Sequence, residues 1–296
     1  MKRIGFLGFG EAARAFRASL AARDPALRFL AYDILLREEA AAPQMRAAMA
    51  AEGVAACDPA GLAEADWLFS AVTADQSVAA LREVAPYLRQ GQLVIDINSV
   101  SPARKRESAA MAGARSAAYL DMAVMAPVHP HGHRTPVLIA GEAAHQAGPE
   151  LARLGFDFDV AGPHVGQATG IKLVRSLFVK GLEAITVETL LAAQAAGCLD
   201  QILQSLGRSF PGLGWPDFAA YEFERTLRHG RRRAAEMRES AAAMRELGLS
   251  GDMAEAIAGV QDQMGAAPAP PPAADNLAEG IGAVFAARNV KGGKAS

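Results

Sequence analysis

The sequence of 296 residues has few cysteines and no excess of charge of either sign. Its two cysteines, Cys57 and Cys198, are far apart and lack the spacing of a zinc or redox pair. We therefore predict that both are small buried hydrophobic residues. The 30 lysines and arginines against 32 aspartates and glutamates give no electrostatic reason to expect nucleic acid or an anionic membrane as a partner. A small polar or anionic molecule is the expected ligand.

Long apolar runs are absent as well. No run reaches the roughly 18 residues that a membrane-spanning helix needs. The first apolar run begins at Ile4, which leaves no room for a signal peptide before it, so we expect a cytoplasmic protein. The length exceeds the usual size of one domain and indicates two domains.

A glycine motif, Gly8-x-Gly10-x-x-Ala13, follows an apolar strand-like run at residues 4–7 and precedes a helix that begins near Ala12. Gly8 permits a tight turn, Gly10 lets the backbone approach phosphates, and Ala13 keeps the helix close to the strand. The helix N-terminus adds unpaired N–H groups and a partial positive charge. The motif predicts a dinucleotide site whose pyrophosphate contacts are Gly8, Phe9, Gly10, Glu11 and Ala12.

A second apolar run, residues 27–32, ends in Asp33, roughly 20 residues after the glycines, where a carboxylate can accept hydrogen bonds from both ribose hydroxyls. The same carboxylate would repel a 2′-phosphate, so NAD is the favoured cofactor. Arg37 lies four residues further on and could reach a 2′-phosphate, so NADP remains possible. The other interpretation of Arg37 is a solvated side chain.

Strand-like runs at residues 67–72, 93–97, 118–122 and 137–140 alternate with helical stretches. This pattern predicts an α/β fold with a doubly wound parallel sheet, a Rossmann domain over residues 1–163. Ligands of such sheets bind beyond the carboxyl ends of the strands. Val72, Thr73 and Asn98 at these ends are predicted to bind the cofactor, and Ser99 the substrate.

From residue 164 the apolar spacing becomes helical and predicts an all-α domain over residues 164–296. A long spine helix is expected at 165–196, followed by helices at 200–209, 217–228, 232–247, 252–263 and 276–287. The proline-rich segment 266–274 is predicted to be an extended connector, and residues 291–296 a frayed tail.

The spine helix carries polar residues on one face. Lys172, Ser176 and Lys180 are spaced four residues apart, and Arg175 borders them. A helical lysine is most often solvated, but this one lies where the helix leaves the nucleotide-binding domain. A partly desolvated lysine there can act as a general acid or base near neutral pH. We therefore predict that Lys172 is catalytic and that Ser176 and Lys180 contact the substrate.

Three motifs together resemble the β-hydroxyacid dehydrogenase family, related to 6-phosphogluconate dehydrogenase. They are the N-terminal glycine motif, Asp96-Ile97-Asn98-Ser99-x-x-Pro102, and Gly166-x-x-x-Gly170-x-Lys172-x-x-x-Ser176. The resemblance covers essentially the whole chain. It implies that Lys172 is the catalytic acid or base, that a nicotinamide cofactor oxidises a small hydroxy acid, and that a homodimer forms with interlocked helical domains. The family usually has asparagine in place of Ser176.

The chain departs from the family at the substrate loop, which in the family reads Asp-Ala-Pro-Val-Ser-Gly-Gly. Here Met125 stands in place of the serine, and the backbone of Met125, Ala126 and Pro127 is predicted to form the substrate pocket wall. Residues 225–237 resemble a branch with a distinct helical C-terminal domain, whose members oxidise sugar acids or phenylserine-type substrates. His229 in this segment is a further predicted substrate contact.

Three alternatives remain open. The histidines His129, His131 and His133 could converge on a metal, but without a nearby cysteine we predict no metal site and expect the loop to border the substrate or lie in solvent. An imine reductase would share the two-domain architecture, although such enzymes typically lack the lysine at the position of Lys172. A dinucleotide-binding protein without turnover is the non-enzymatic alternative.

Overall fold

The computed structural model describes residues 2–289, and its N-terminal part is built on one eight-stranded sheet. The strands are β1 (Arg3–Leu7), β2 (Arg28–Tyr32), β3 (Val54–Ala56), β4 (Trp67–Ser70), β5 (Leu93–Asp96), β6 (Ala118–Val124), β7 (Val137–Ala140) and β8 (Phe158–Gly162). Their order across the sheet is β3-β2-β1-β4-β5-β6-β7-β8. This arrangement confirms the predicted doubly wound Rossmann fold.

Helices cover both faces of the sheet. They are α1 (Glu11–Arg23), α2 (Ala42–Ala51), α3 (Ser77–Val84), α4 (Pro102–Gly113) and α5 (Ala143–Leu154). Phe6, Phe69 and Ile95 pack with α1, α2 and α5 on one face, and Leu7, Leu68 and Val94 pack with α3 and α4 on the other. Because both faces are buried, the central strands are mostly apolar, as expected of a parallel sheet.

The sheet differs from the prediction at its edges. The short strand β3 and the partly exposed edge strand β8 were not predicted, and β7 runs antiparallel to β6. The chain between β6 and β7, residues 125–136, forms a loop with one 3-10 turn, and it lacks the helix that normally carries a chain back for parallel pairing. The short return therefore reverses the strand direction.

The C-terminal part is helical, as predicted. Its helices are α6 (Gln167–Ala195), α7 (Leu199–Ser209), α8 (Asp217–Glu246), α9 (Asp252–Gly265) and α10 (Leu277–Asn289). The predicted break between residues 228 and 232 was wrong, because α8 continues through Gly230. A Cβ at Gly230 would lie 2.2 Å from the carbonyl oxygen of Gln261, so the glycine serves the close packing of α8 against α9.

Two compact units divide the chain, Met1–Leu173 and Val174–Ser296, so that the division falls within α6. In the second unit, Val187 and Leu190 of α6 pack with Phe223 of α8, Met264 of α9 and Ile281 of α10. Residues 267–273 form neither helix nor strand. Residues 291–296, predicted as a frayed tail, lie outside the described part of the chain. Between residues 2 and 289, no helix has the length and apolar content required to cross a membrane.

Candidate functional site

The glycine turn after β1 has a different role for each glycine. Gly8 is buried with φ +86°, and a Cβ there would lie 2.6 Å from the carbonyl oxygen of Ala71, so only glycine fits. Gly10 is exposed, and a Cβ there would meet nothing within 4 Å. It precedes α1, whose N-terminus has no side-chain cap. Open space in front of uncapped helical N–H groups fits a pyrophosphate.

Asp33, which follows β2, is hydrogen-bonded to this glycine turn. Its Oδ2 accepts a hydrogen bond from the backbone N–H of Phe9 at 2.8 Å, and its Oδ1 accepts one from the N–H of Leu35 at 3.0 Å. Each carboxylate oxygen can accept a further bond, so the residue still fits a ribose hydroxyl. The ring of Phe9 is buried in the core and its N–H is bonded to Asp33, whereas Glu11 is exposed.

Asn98 joins the ends of β4 and β5. Its Oδ1 accepts a hydrogen bond from the N–H of Val72 at 2.8 Å, and its Nδ2 donates to Ser70 Oγ at 2.9 Å. The structure thus brings the predicted residues Val72 and Asn98 together, and Thr73 is exposed beside them. With both polar groups engaged, the buried amide of Asn98 fixes the shape of this edge.

Lys172 and Ser99, the predicted catalytic and substrate residues, are in direct contact. The Lys172 Nζ donates a hydrogen bond to Ser99 Oγ at 2.6 Å, and the lysine is half-buried. One turn earlier in α6, Thr169 Oγ1 donates to the carbonyl of Val100 at 2.6 Å. The start of α6 is therefore fastened to the loop after β5, which places a partly desolvated ammonium group beside a hydroxyl.

A buried charge network, which the sequence analysis missed, lies beneath this contact. Asp96 and Asp121 are paired on neighbouring strands, and Lys105 Nζ lies 3.1 Å and 3.4 Å from their Oδ1 atoms. The hydroxyl of Tyr119 donates to Asp96 at 2.5 Å, and burial with that carboxylate holds the pKa of Tyr119 well above its usual value. Charged residues in otherwise apolar strands were the available signal.

The second carboxylate oxygen of Asp121 caps α6. It accepts hydrogen bonds from the N–H groups of Gly166 at 3.0 Å and Thr169 at 3.2 Å. These amides lie at or next to the helix N-terminus, where a negative charge is stabilised by the helix dipole. Asp121 thereby sets the position of Lys172, one turn further along the helix.

The backbone of the substrate loop, residues 125–127, is partly engaged in contacts within the protein. The N–H of Met125 donates to the carbonyl of Pro136 at 2.9 Å, so it is not available to a substrate carboxylate. Pro127 has no N–H. Ala126 and Pro127 are exposed, and the Met125 side chain packs on a small apolar cluster that includes Ala168. The pocket wall predicted from the backbone of Met125, Ala126 and Pro127 therefore stays a prediction, in which Ala126 supplies the remaining N–H.

Ser176 and Lys180 contact each other in the second unit. The Lys180 Nζ donates to Ser176 Oγ at 3.2 Å and forms an ion pair with Glu236 of α8 at 2.9 Å. Both side chains are buried. His229 of α8 is half-buried, and burial together with nearby Arg225 lowers its pKa, so the imidazole is neutral near pH 7.

The histidine loop differs from the prediction. His133 is buried, with Nδ1 2.7 Å from Ser19 Oγ and Nε2 3.0 Å from the carbonyl of Leu154, so it is a core residue rather than a solvated one. His129 is exposed, 4.0 Å from Glu11. Within the described residues, no group of three or more histidine, cysteine, aspartate or glutamate side chains could hold a metal. The cysteines at 57 and 198, expected to be buried, are both half-buried thiols.

A second buried charge cluster lies among α6, α8 and α9. Glu183 accepts hydrogen bonds from Arg233 Nε and Gln261 Nε2, both at 2.8 Å. Burial, and then the negative charge of Glu183, raise the pKa of Glu222 to about 7, while Arg233 and Arg225 oppose the shift. Glu222 Oε2 has no hydrogen-bond partner among the described residues.

The free energy of unfolding is expected to fall as pH rises from about 4.5 to 7, because folded Glu222 keeps its proton to about pH 7 and the unfolded carboxyl loses it near 4.5. Glu222→Gln should reduce this dependence and raise stability at pH 8 by at most about 3 kcal/mol. Urea unfolding at several pH values measures it. Glu224→Gln, which removes a partner of Arg228 on the same helix, is the control. An unchanged slope in Glu222→Gln would refute the assignment.

Comparisons with known proteins place the chain in a family. Residues 3–99 match the family described as NADP oxidoreductase coenzyme F420-dependent, and residues 193–264 match a domain of unknown function, DUF1932. A conserved hypothetical protein from Sinorhizobium meliloti 1021 is 36% identical, with a TM-score of 0.77 over 97% of both chains. Conserved protein MTH1747, of unknown function and structurally similar to 3-hydroxyacid dehydrogenases, is 26% identical, with a TM-score of 0.69 over 88% of this chain and 96% of its own. The chain belongs to the β-hydroxyacid dehydrogenase family, related to 6-phosphogluconate dehydrogenase.

More distant similarities set the limits of this assignment. An uncharacterized 28.5 kDa protein from Methanothermus fervidus is 26% identical over 174 residues, which are 59% of this chain and 66% of that protein. The chain thus spans slightly less than two thirds of that curated relative. A 3-hydroxyisobutyrate dehydrogenase from Mycobacterium tuberculosis, 19% identical with a TM-score of 0.70 over 97% of this chain and 98% of its own, shares the fold. An imine reductase from Myxococcus stipitatus, 20% identical with a TM-score of 0.56 over 88% and 92%, also shares it. At family level the chain is a homologue of NAD(P)-dependent hydroxyacid dehydrogenases, which act on small molecules.

Proposed function

We propose that this protein is an NAD-dependent dehydrogenase of a small hydroxy acid, of the β-hydroxy acid, sugar acid or phenylserine type. The observation that carries the proposal is the 2.6 Å contact between Lys172 Nζ and Ser99 Oγ, next to the strand ends that Asn98 holds together. A lysine amine at that edge can accept the proton of a substrate alcohol, and its ammonium form can return the proton in the reverse reaction. The test is turnover of a hydroxy-acid panel with NAD and NADP.

Each residue of the site has a proposed role in this reaction. The bound nicotinamide would accept the hydride from the carbinol carbon. As the neutral amine, Lys172 would take the hydroxyl proton while the hydride leaves, and the ammonium group so formed would stabilise the negative charge that remains on the substrate oxygen. Ser99 would hold the Lys172 Nζ in place in the free protein. When the substrate binds, the Ser99 hydroxyl would form a hydrogen bond with the substrate hydroxyl or carboxylate instead. Asp121 fixes the helix that carries the lysine.

Further substrate contacts are proposed on the helices of the second unit. The hydroxyl of Ser176 would orient the substrate, and Lys180 would supply positive charge, reduced by its ion pair with Glu236. His229, neutral near pH 7, would serve as a hydrogen-bonding group. Ala126 and the side of Met125 would form a pocket wall.

Asp33→Ala is expected to weaken NAD binding and to spare or improve NADP binding. The ribose hydrogen bonds and the repulsion of a 2′-phosphate are lost together, the latter worth roughly 1 to 4 kcal/mol at contact. Calorimetric titration with each dinucleotide measures the change. Asp24→Ala, at the C-terminal end of α1, is a control for loss of one carboxylate. An unchanged preference between the two dinucleotides would show that Asp33 does not read the ribose.

A homodimer is proposed from an apolar stripe on α6. Val174, Phe178 and Ile185 lie on one side of the helix and are 49%, 73% and 65% exposed. A large apolar stripe on a helix is normally covered by another surface, and the family resemblance indicates that this is a second copy. We expect light scattering at micromolar concentration to give the mass of two chains, and Phe178→Asp to shift it toward one. Leu249→Asp, at an exposed leucine outside this stripe, should have no effect, and a monomeric wild type would contradict the proposal.

A further inference from the structure

Arg37 is held by residues of two neighbouring elements. It ends the 3-10 turn that Asp33 begins, and its Nη2 donates a short hydrogen bond to Glu83 Oε1 on α3. The guanidinium carbon lies 5.5 Å from the centre of the Tyr32 ring. Glu83 also accepts a hydrogen bond from the Tyr32 hydroxyl at 3.2 Å. The arginine, the glutamate and the tyrosine therefore form one connected group next to Asp33.

The tyrosine supports this group over a wide pH range. Burial and the Glu83 carboxylate raise the pKa of Tyr32 to about 12, so the hydroxyl keeps its proton and remains a donor to Glu83. Tyr32 itself is buried, while the guanidinium is about half exposed. The fixed partner is thus the glutamate, and the arginine is the member that can move.

The group of Arg37, Glu83 and Tyr32 bears on the choice between NAD and NADP. NADP differs from NAD by a phosphate on the adenine ribose, and arginine is the side chain that best binds phosphate. Here the guanidinium is already paired with Glu83, so its positive charge is partly neutralised. Arg37 and Glu83 line an open cleft of about 580 Å³, which gives a released guanidinium room to move.

We propose that Glu83 is a specificity-determining residue for the dinucleotide: by holding Arg37 beside Tyr32, it withholds that positive charge from a 2′-phosphate and favours NAD. The inference rests on the proposed nicotinamide cofactor and deepens it. Asp33 repels the phosphate directly, and Glu83 acts through the arginine that would otherwise attract it.

The test is direct binding of NAD and NADP by calorimetry to the full-length wild type, Glu83→Gln, Arg37→Ala and the double variant. The glutamine keeps an oxygen for the Tyr32 hydroxyl and removes the charge that holds Arg37. Glu83→Gln should tighten NADP binding about tenfold, the effect of one additional charge-assisted hydrogen bond, with NAD binding unchanged. Arg37→Ala alone should leave NADP binding unchanged, and the double variant should lose the gain. Glu107→Gln, which removes a charge paired with Arg82 at 2.7 Å, is the matched control.

Three results would overturn the role of Glu83. They are an unchanged NADP affinity in Glu83→Gln, weaker NADP binding in Arg37→Ala alone, and a double variant that keeps the full gain. The first would show that Glu83 does not withhold Arg37 from the 2′-phosphate. The second would show that Arg37 already binds the phosphate in the wild type. The third would show that loss of the Glu83 charge improves NADP binding without Arg37. Arg37→Ala provides its result even if Glu83→Gln does not fold. If the wild type bound neither dinucleotide, the proposed function would be overturned as well. If the wild type bound NAD and one of the three results were found, only the role of Glu83 would be overturned.

Discussion

Lys172→Ala is expected to lower kcat at least about 100-fold, because general acid–base catalysis contributes on the order of 100 to 10,000-fold, or about 3 to 5 kcal/mol. The lysine is expected to act on the substrate hydroxyl in the transition state, so NAD affinity should be unchanged. Steady-state kinetics on an identified substrate and calorimetric NAD titration measure the two quantities.

Two controls separate proton transfer from structural damage. Ser99→Ala keeps the lysine and removes its 2.6 Å partner, so its effect on kcat should be smaller than that of Lys172→Ala. Lys2→Ala removes a distant lysine paired with Glu150 and should leave kcat unchanged. If a folded Lys172→Ala kept more than roughly a tenth of the wild-type kcat, the acid–base role would belong elsewhere. Lys180, two turns further along α6, is the next candidate.

Lys105→Met is expected to lower the free energy of unfolding by about 3 to 5 kcal/mol, the usual cost of removing one partner of a buried ion pair. Lys105 is fully buried between Asp96 and Asp121, and it also donates to the carbonyl of Asp96 at 2.7 Å. Methionine fills a similar volume, so the change reports the lost charge rather than a cavity. Urea unfolding followed by circular dichroism gives the value.

A matched pair of variants tests this explanation of the network. Lys2→Met removes a partly exposed ion pair and should cost no more than about 1 kcal/mol. Adding Asp121→Asn to Lys105→Met should restore part of the stability, because it removes one buried charge and keeps an oxygen for the amides of α6. A loss below about 1 kcal/mol in Lys105→Met would show that the network does not stabilise the fold.

The fold could be predicted where local pattern decides structure. Alternating apolar runs and the glycine turn at Gly8 indicated the Rossmann domain, and helical spacing indicated the spine helix. The direction of β7 could not be predicted, because it depends on how the chain closes back on the sheet. The continuity of α8 through Gly230 was also missed, because a glycine used for close helix packing resembles a helix break in sequence.

In the candidate site, too, local pattern could be predicted and contacts between distant residues could not. The ends of successive parallel strands meet at one edge, so Val72 and Asn98 could be placed together from the strand order. Contacts between distant residues could not be read from spacing: Lys105 bridging two strands and His133 buried against Ser19 are examples. The pairing of Arg37 with Glu83, 46 residues apart, was likewise invisible in the sequence.

The proposed reaction is hydride transfer from a hydroxy acid with Lys172 as the acid–base group. The most direct measurement is NADH formation by wild type and Lys172→Ala across β-hydroxy acids, sugar acids and phenylserine, with cyclic imines and NAD(P)H assayed alongside. We expect at least one hydroxy acid to be oxidised with NAD, this activity to fall at least about 100-fold in Lys172→Ala, and the imines to remain unreduced. Reduction of imines independent of Lys172, or tight NAD binding with no turnover of any hydroxy acid, would contradict the claim.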